Sequence, residues 1–184
     1  TKDTRTSTFF GEGIVGHVSL ADPFCDDLRG VLAVAARSCG ATVHEGGTYV
    51  CMEGPQFSTR AESNFYRASL DAKVIGMTAI PEAKLAREAE MCYATVAMVT
   101  DYDCWHPDHD HVEVGDIIRV LVGNAGMARD LVRAVVPAVG ERPVACPHGC
   151  DRALETALIT APEARDPEML AKLDAVAGRL LNAS

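Results

Sequence analysis

Asp101 and Asp103 stand two residues apart in Thr100-Asp-Tyr-Asp-Cys-Trp105, directly after the almost uninterrupted apolar run Met91–Thr100. In an open α/β fold, ligands bind beyond the carboxyl ends of strands, where this segment would lie if Met91–Thr100 is a strand. If the segment stays extended, both carboxylates point to one side. Two carboxylates sharing a small site do not both ionise cheaply, so one is expected to hold a proton. Such a pair donates one hydrogen bond and accepts another. That suits an aminopurine, with a carboxyl donating to ring N7 and a carboxylate accepting from the exocyclic N6 amine. The same spacing is also compatible with a plain solvated acidic loop.

Two further constellations bear on chemistry. Glu53-Gly-Pro forces a turn, and Phe57 follows it, so its ring is presented either to a planar ligand or to the core. Gly76-Met77-Thr78 closes a short apolar stretch ahead of Pro81-Glu82. There the Thr78 hydroxyl and backbone N–H could meet an anion near a helix start, although many strand-to-helix turns carry a threonine. The seven cysteines are odd in number and sit mostly in apolar stretches, which reads as reduced thiols in a cytoplasmic protein. Cys146, His148 and Cys150 offer three metal ligands, but no fourth lies nearby in sequence. No metal site is therefore expected, and the loop is read as two free or reversibly oxidised thiols.

The elements that must position these residues follow from periodicity. Asp26–Cys39 has helical spacing, opens on acidic residues and stops at Gly40. Ala41–Glu53 holds β-formers broken by Gly46-Gly47 and predicts two short strands. Helices are expected over Thr59–Leu70, Pro81–Glu90, Val112–Val136 and Asp166–Leu181, and short strands over Lys73–Met77 and Met91–Thr100. The last of these is expected to be buried on both faces. Thr1–Gly13 is polar and turn-like. The alternation gives an α/β class with a mixed or parallel sheet. Only three or four strands can be counted, fewer than the roughly five or six of an average sheet. Either the sheet is small or part of the domain lies on another polypeptide.

Composition narrows the partners. Of 184 residues, 48% are apolar and 23% charged, an ordinary globular balance. The net charge of −9 argues against nucleic acid or an anionic membrane surface, and no apolar run is long enough to span a bilayer. Any phosphate must be held locally, against the overall field.

Taken together, the motifs resemble a known family. Glu53-Gly-Pro-Gln-Phe57-Ser-Thr-Arg-Ala-Glu62-Ser is similar to the EGPxFxxxAES segment of trimeric purine nucleoside and methylthioadenosine phosphorylases. Gly76-Met77-Thr78 with Pro81-Glu82 resembles their MT-x-x-PE segment. Thr100–Trp105 resembles the base-binding TDYDCW of the methylthioadenosine branch, and His17 matches a histidine lent to a neighbouring subunit. The four motifs come in the family's order, between about Thr1 and Val136.

The resemblance implies a nucleoside phosphorylase-like α/β fold: a mixed sheet partly closed into a barrel, flanked by helices and usually assembled as a homotrimer. It implies phosphorolysis of S-methyl-5'-thioadenosine to adenine and 5-methylthioribose 1-phosphate, with inorganic phosphate as co-substrate and no cofactor. By position, Asp101 and Asp103 bind and protonate the base, Phe57 stacks near it, the Met77 backbone holds ribose hydroxyls and Thr78 contacts phosphate. Val114, Ile117 and Ile118 line the 5′ pocket, closed by His17 of a neighbour. The family's glycine-rich first segment and its Arg-His-Gly phosphate motif have no counterpart here. Residues 1–184 therefore read as the C-terminal part of a single phosphorylase domain, needing an N-terminal segment as a partner chain. A phosphorylase for another purine nucleoside, or a non-catalytic purine-binding chain, are the other readings. Asp101 separates the first, since a 6-oxopurine would be better served by Asn.

Overall fold

The computed structural model describes residues 5–11, 13–106, 114–141 and 145–181; the side chains of Val114, Asp116 and Ile117 lie outside that description. The chain forms two units. One comprises Thr1–Arg29, Ala79–Thr95 and Pro143–Ser184, the other Gly30–Thr78 and Val96–Arg142. In chain order the described elements are α1 (Asp26–Ser38), β1 (Thr48–Cys51), α2 (Arg60–Leu70), β2 (Ala72–Gly76), α3 (Ala79–Glu88), α4 (Val114–Gly140) and α5 (Pro167–Leu181). None of these helices is long and apolar enough to cross a membrane.

In the second unit, β1 and β2 pair in parallel, Tyr49 opposite Val74 and Cys51 opposite Gly76, with an irregularity between Thr48 and Tyr49. Parallel strands cannot be joined by a tight turn, and α2 is the crossover between them. It starts at a reciprocal cap. The Thr59 hydroxyl accepts from the Glu62 backbone N–H at 3.3 Å, and the Glu62 carboxylate accepts from the Thr59 N–H at 2.8 Å. It stops at Asp71, whose φ of 48° is left-handed. The core of this unit lies where Ala35 and Ala36 of α1 meet Leu131 of α4, with Val43 and Met98 packed alongside. Small alanines on one helix allow the other to approach closely.

The first unit is built on α5. Asp166 caps it, its carboxylate accepting from the Met169 N–H at 2.9 Å, and Pro167 occupies the first turn. Met169, Leu173, Ala177 and Leu181, spaced by four, form its buried stripe against Phe10, Ile14 and Leu154. Glu88 is buried but satisfied, taking the Thr8 hydroxyl at 2.8 Å and the Phe9 N–H at 2.7 Å.

A second small cluster in this unit joins Cys25, Cys146 and Cys150, with Leu28 and Cys92 against it. All seven cysteines are thiols. Burial pushes the Cys146 thiol up, but the backbone N–H groups of Cys150 and His148, then the Cys92 and Cys150 thiols, bring it to about 7. Cys150 is pushed well up, by burial first and by its Cys146 neighbour next.

Several expectations need correction. Among the described residues the sheet has two strands and is not closed into a barrel. Met91–Thr100 is neither a strand nor buried on both faces: no ladder forms along it, and Met91 and Val99 are exposed. Its composition favours a sheet interior, but a strand exists only where another strand offers a free edge. Of the two strands expected in Ala41–Glu53, only β1 forms. The helices occur where expected, shifted by a few residues at their ends, with the segment before Val114 outside the description.

The cap on α2 makes a measurable prediction. Thr59→Ala should cost about 1 kcal/mol in denaturant unfolding. Hydrogen bonds from the Thr59 backbone N–H and then its hydroxyl hold the Glu62 carboxyl below its ordinary value. A depressed carboxylate stabilises the fold above its unfolded pKa, and that contribution is lost as pH falls through the folded value. The stability gap between the wild-type chain and Glu62→Gln should therefore be largest at neutral pH and shrink on acidification. A gap independent of pH would contradict the cap.

Candidate functional site

β1 and β2 run in the same direction, so their carboxyl ends open on the same side of the pair. The Met52 N–H donates to the Gly76 carbonyl at 2.9 Å and carries the pairing to the strand ends. Beyond it, the Glu53-Gly-Pro turn from β1 meets Met77 from β2. Gly54 has φ +69°, and a Cβ there would stand 2.7 Å from the Met77 sulfur. The turn thus needs glycine both for its conformation and for the close approach. Phe57 emerges from it 84% exposed. Thr78 is also exposed, directly ahead of α3 in the chain.

The acidic loop is fastened to the same element. Ser63, 2% exposed on α2, donates its hydroxyl to the Asp103 carboxylate at 2.7 Å. The Cys104 thiol reaches the Ser58 carbonyl at 3.6 Å. The Arg67 guanidinium lies 3.4 Å over the Trp105 ring, which also meets Tyr102 edge-on. α2 therefore begins just after Phe57 and holds Asp103 and Trp105 along its length. Phe57 and Asp103 come from parts of the sequence far apart, and this helix links them.

The loop is not extended, contrary to the expectation that put both carboxylates on one side. Asp101 accepts the Asp103 backbone N–H at 2.9 Å and the Thr100 hydroxyl at 2.7 Å. This closes an Asx turn, which leads Asp103 into a left-handed conformation at φ 60° and a short 3-10 turn through Trp105. A non-glycine residue in that region is uncommon and costs backbone energy, as happens where a side chain must be aimed. A carboxylate oxygen can accept more than one hydrogen bond, so both residues retain acceptor capacity after these contacts.

Among the other expected site residues, Ile118 on α4 is exposed. The side chains of Val114 and Ile117 lie outside the described residues. His17 belongs to the first unit, where its backbone N–H donates to the Ala157 carbonyl at 2.9 Å and its side chain is exposed. Sequence reasoning missed Ser63 and Arg67. A serine in mid-helix is a weak helix former that marks a polar partner nearby, and that signal was available.

The sequence pattern described as Phosphorylase superfamily matches residues 2–137. The chain belongs to the phosphorylase superfamily. Over 177 residues, 96% of its length, it is 63% identical to an S-methyl-5'-thioadenosine phosphorylase of Cereibacter sphaeroides and covers 61% of that protein. Over the same share it is 64% identical to that of Bradyrhizobium diazoefficiens, covering 60%. Its structure resembles the crystal structure of a methylthioadenosine phosphorylase from an antarctic soil metagenomic library. The TM-score is 0.84 at 44% identity, over 95% of this chain and 62% of that one. The chain thus spans about three fifths of the length of the phosphorylases it matches, and its α/β fold is of the nucleoside phosphorylase type.

The Gly54 turn can be tested by contrast with an open helical glycine. Gly54→Ala should destabilise the chain by about 1–2 kcal/mol from the left-handed backbone alone, with the Met77 contact added. Gly30→Ala on α1, where nothing lies within 4 Å, should stabilise it by roughly 0.5–1 kcal/mol. Equal effects in urea unfolding would contradict the turn geometry.

Proposed function

We propose that the chain carries the base- and sugar-binding part of an enzyme, a pentosyltransferase that cleaves S-methyl-5'-thioadenosine with phosphate. The observation that carries this reading is the 63% identity to an S-methyl-5'-thioadenosine phosphorylase along 96% of the chain. In the proposed reaction a phosphate oxygen bonds to the anomeric carbon as its bond to purine N9 breaks. The bonding pair moves into the purine ring, and a proton from the Asp101–Asp103 pair neutralises the leaving base at N7. The products are adenine and 5-methylthioribose 1-phosphate. An acceptor from the same pair takes the N6 amine, which a 6-oxopurine lacks.

Phe57, exposed beside the strand ends, stacks on the base. The Met77 backbone holds ribose hydroxyls, and Thr78 offers its hydroxyl to phosphate, which is a co-substrate. Val114, Ile117 and Ile118 form an apolar wall for the methylthio group, with His17 of a neighbouring subunit across it in a homotrimer. In this reading residues 1–184 are the C-terminal part of one phosphorylase domain. An N-terminal segment on a separate chain supplies the strands that close the sheet into a barrel and the phosphate-binding Arg-His-Gly. One feature supports it: Met91–Thr100 has a strand-like composition but forms no ladder among the described residues. Reduced thiols suit a cytoplasmic setting.

Asp101→Asn tests the base assignment. The amide presents a donor where an acceptor or acid is needed, so phosphorolysis of methylthioadenosine should fall by about 10²-fold or more. Activity on inosine should fall less or rise. Full activity on methylthioadenosine would remove Asp101 from the mechanism.

The partner segment is tested separately by intact mass and phosphate-dependent adenine release. The chain by itself should be inactive, and activity should appear with a companion polypeptide bearing the glycine-rich and Arg-His-Gly motifs. Normal turnover from a monodisperse sample of this chain alone would exclude the companion. An assembled pair that releases no adenine would exclude the activity.

A further inference from the structure

Cys25, Cys92, Cys146 and Cys150 bring their sulfur atoms within 4.8 Å of one another. They come from three separate stretches of one unit, with Cys146 121 positions after Cys25. Three are buried and Cys92 is half-buried. Four thiols gathered in one small volume have no role in the phosphorolysis proposed above, and none belongs to the base or phosphate sites. Single buried cysteines commonly serve as small hydrophobes, but four sulfurs converging on one point is a ligand arrangement as well as a packing one.

The geometry is that of a tetrahedral cation site. A zinc–thiolate bond of about 2.3 Å gives sulfur–sulfur edges of about 3.8 Å in a regular tetrahedron. The Cys25 and Cys146 sulfurs already stand 3.7 Å apart. The remaining pairs need a contraction of at most about 1 Å to meet that edge. Cys146-Pro-His-Gly-Cys150 has the C-x₂₋₄-C spacing of a chelating loop. Gly149, at φ +69°, turns it, and the backbone N–H groups of His148 and Cys150 point at the Cys146 sulfur. The Cys146 N–H is itself fixed on the Asp151 carboxylate at 3.1 Å. Cys25 caps the start of α1, its carbonyl accepting from the Arg29 N–H at 2.9 Å, where the helix dipole favours an anionic sulfur. Its own N–H donates to the Tyr93 carbonyl at 2.7 Å, next to Cys92. His148, a ligand candidate by sequence, is exposed and outside the group.

We propose that Cys25, Cys92, Cys146 and Cys150 bind one zinc-type divalent cation through four thiolates. With all four positions filled by protein, the site has no open coordination for water or substrate. Its role is structural: it ties the start of α1, the segment at Cys92 and the Cys146–Cys150 loop together.

Elemental analysis of the chain purified under reducing conditions should find close to one zinc per chain. Cys25→Ser with Cys146→Ser should lose most of it, while Cys39→Ser and Cys51→Ser, outside the cluster, should retain it. Because the double variant could fail to fold, the wild-type protein provides an independent readout. After chelation, added Co²⁺ should give thiolate charge-transfer absorption and the intense visible bands of tetrahedral cobalt, abolished by one equivalent of Zn²⁺. Metal-free protein with the weak spectrum of octahedral cobalt would overturn the proposal. So would full metal content in the double variant, or a native mass lighter by two hydrogens with a disulfide mapped within the four.

Discussion

The parallel pairing of β1 with β2 is the constraint on which the candidate site depends. Parallel strands need a crossover, and here the crossover is α2. The pairing sends the Glu53–Phe57 turn and Met77–Thr78 out at the same ends of the two strands. The crossover then starts from that turn and presents Ser63 and Arg67 to the acidic loop. The first interaction thus sets the backbone of the site and the second anchors the Asp103 carboxylate. Glycine at position 54 suits the left-handed backbone of the turn between the strand ends, and a Cβ there would make the Met77 side chain shift.

The hydrogen bonds of the loop bear on what its carboxylates can do. The Asx turn at Asp101 uses one of its oxygens on the Asp103 N–H and the other on the Thr100 hydroxyl. Asp103 is anchored by the Ser63 hydroxyl instead. The two residues therefore have different environments despite their adjacency. One is held by its own loop and the other by a neighbouring helix. Different partners are how a pair of like groups is given different tasks in one site.

What could be read in the sequence was what is decided locally. α1 opens on an acidic first turn, α2 on a capping box, and α5 carries an acidic first turn and an apolar stripe, all signals contained within a dozen or so residues, and each helix occurs where its local pattern put it. Met91–Thr100 has equally strong apolar character, but a strand is completed by a partner remote in sequence, and composition cannot supply one. The Asp101–Asp103 spacing was visible. The turn that removes its extended geometry depends on a side chain accepting a backbone N–H, which competes with the strand conformation residue by residue. The cysteines divide the same way: Cys146 and Cys150 announce themselves by spacing, whereas Cys25 and Cys92 join them only through the fold.

Charge sets a further condition on the chemistry. The chain carries a net charge of −9, and the loop proposed to receive the base contributes two carboxylates. Under the proposed reaction an attacking phosphate is held close to that loop, and in an acidic field it needs several donors acting together. On α2, the cation nearest the loop in the described contacts, Arg67, is stacked over Trp105. In that position it fixes the aromatic floor of the loop and leaves its charge facing a ring. Thr78 contributes a neutral hydroxyl. The described groups around Asp101 and Asp103 are hydroxyls, a thiol and one stacked guanidinium, so under the proposed reaction a bound phosphate would need donors beyond them.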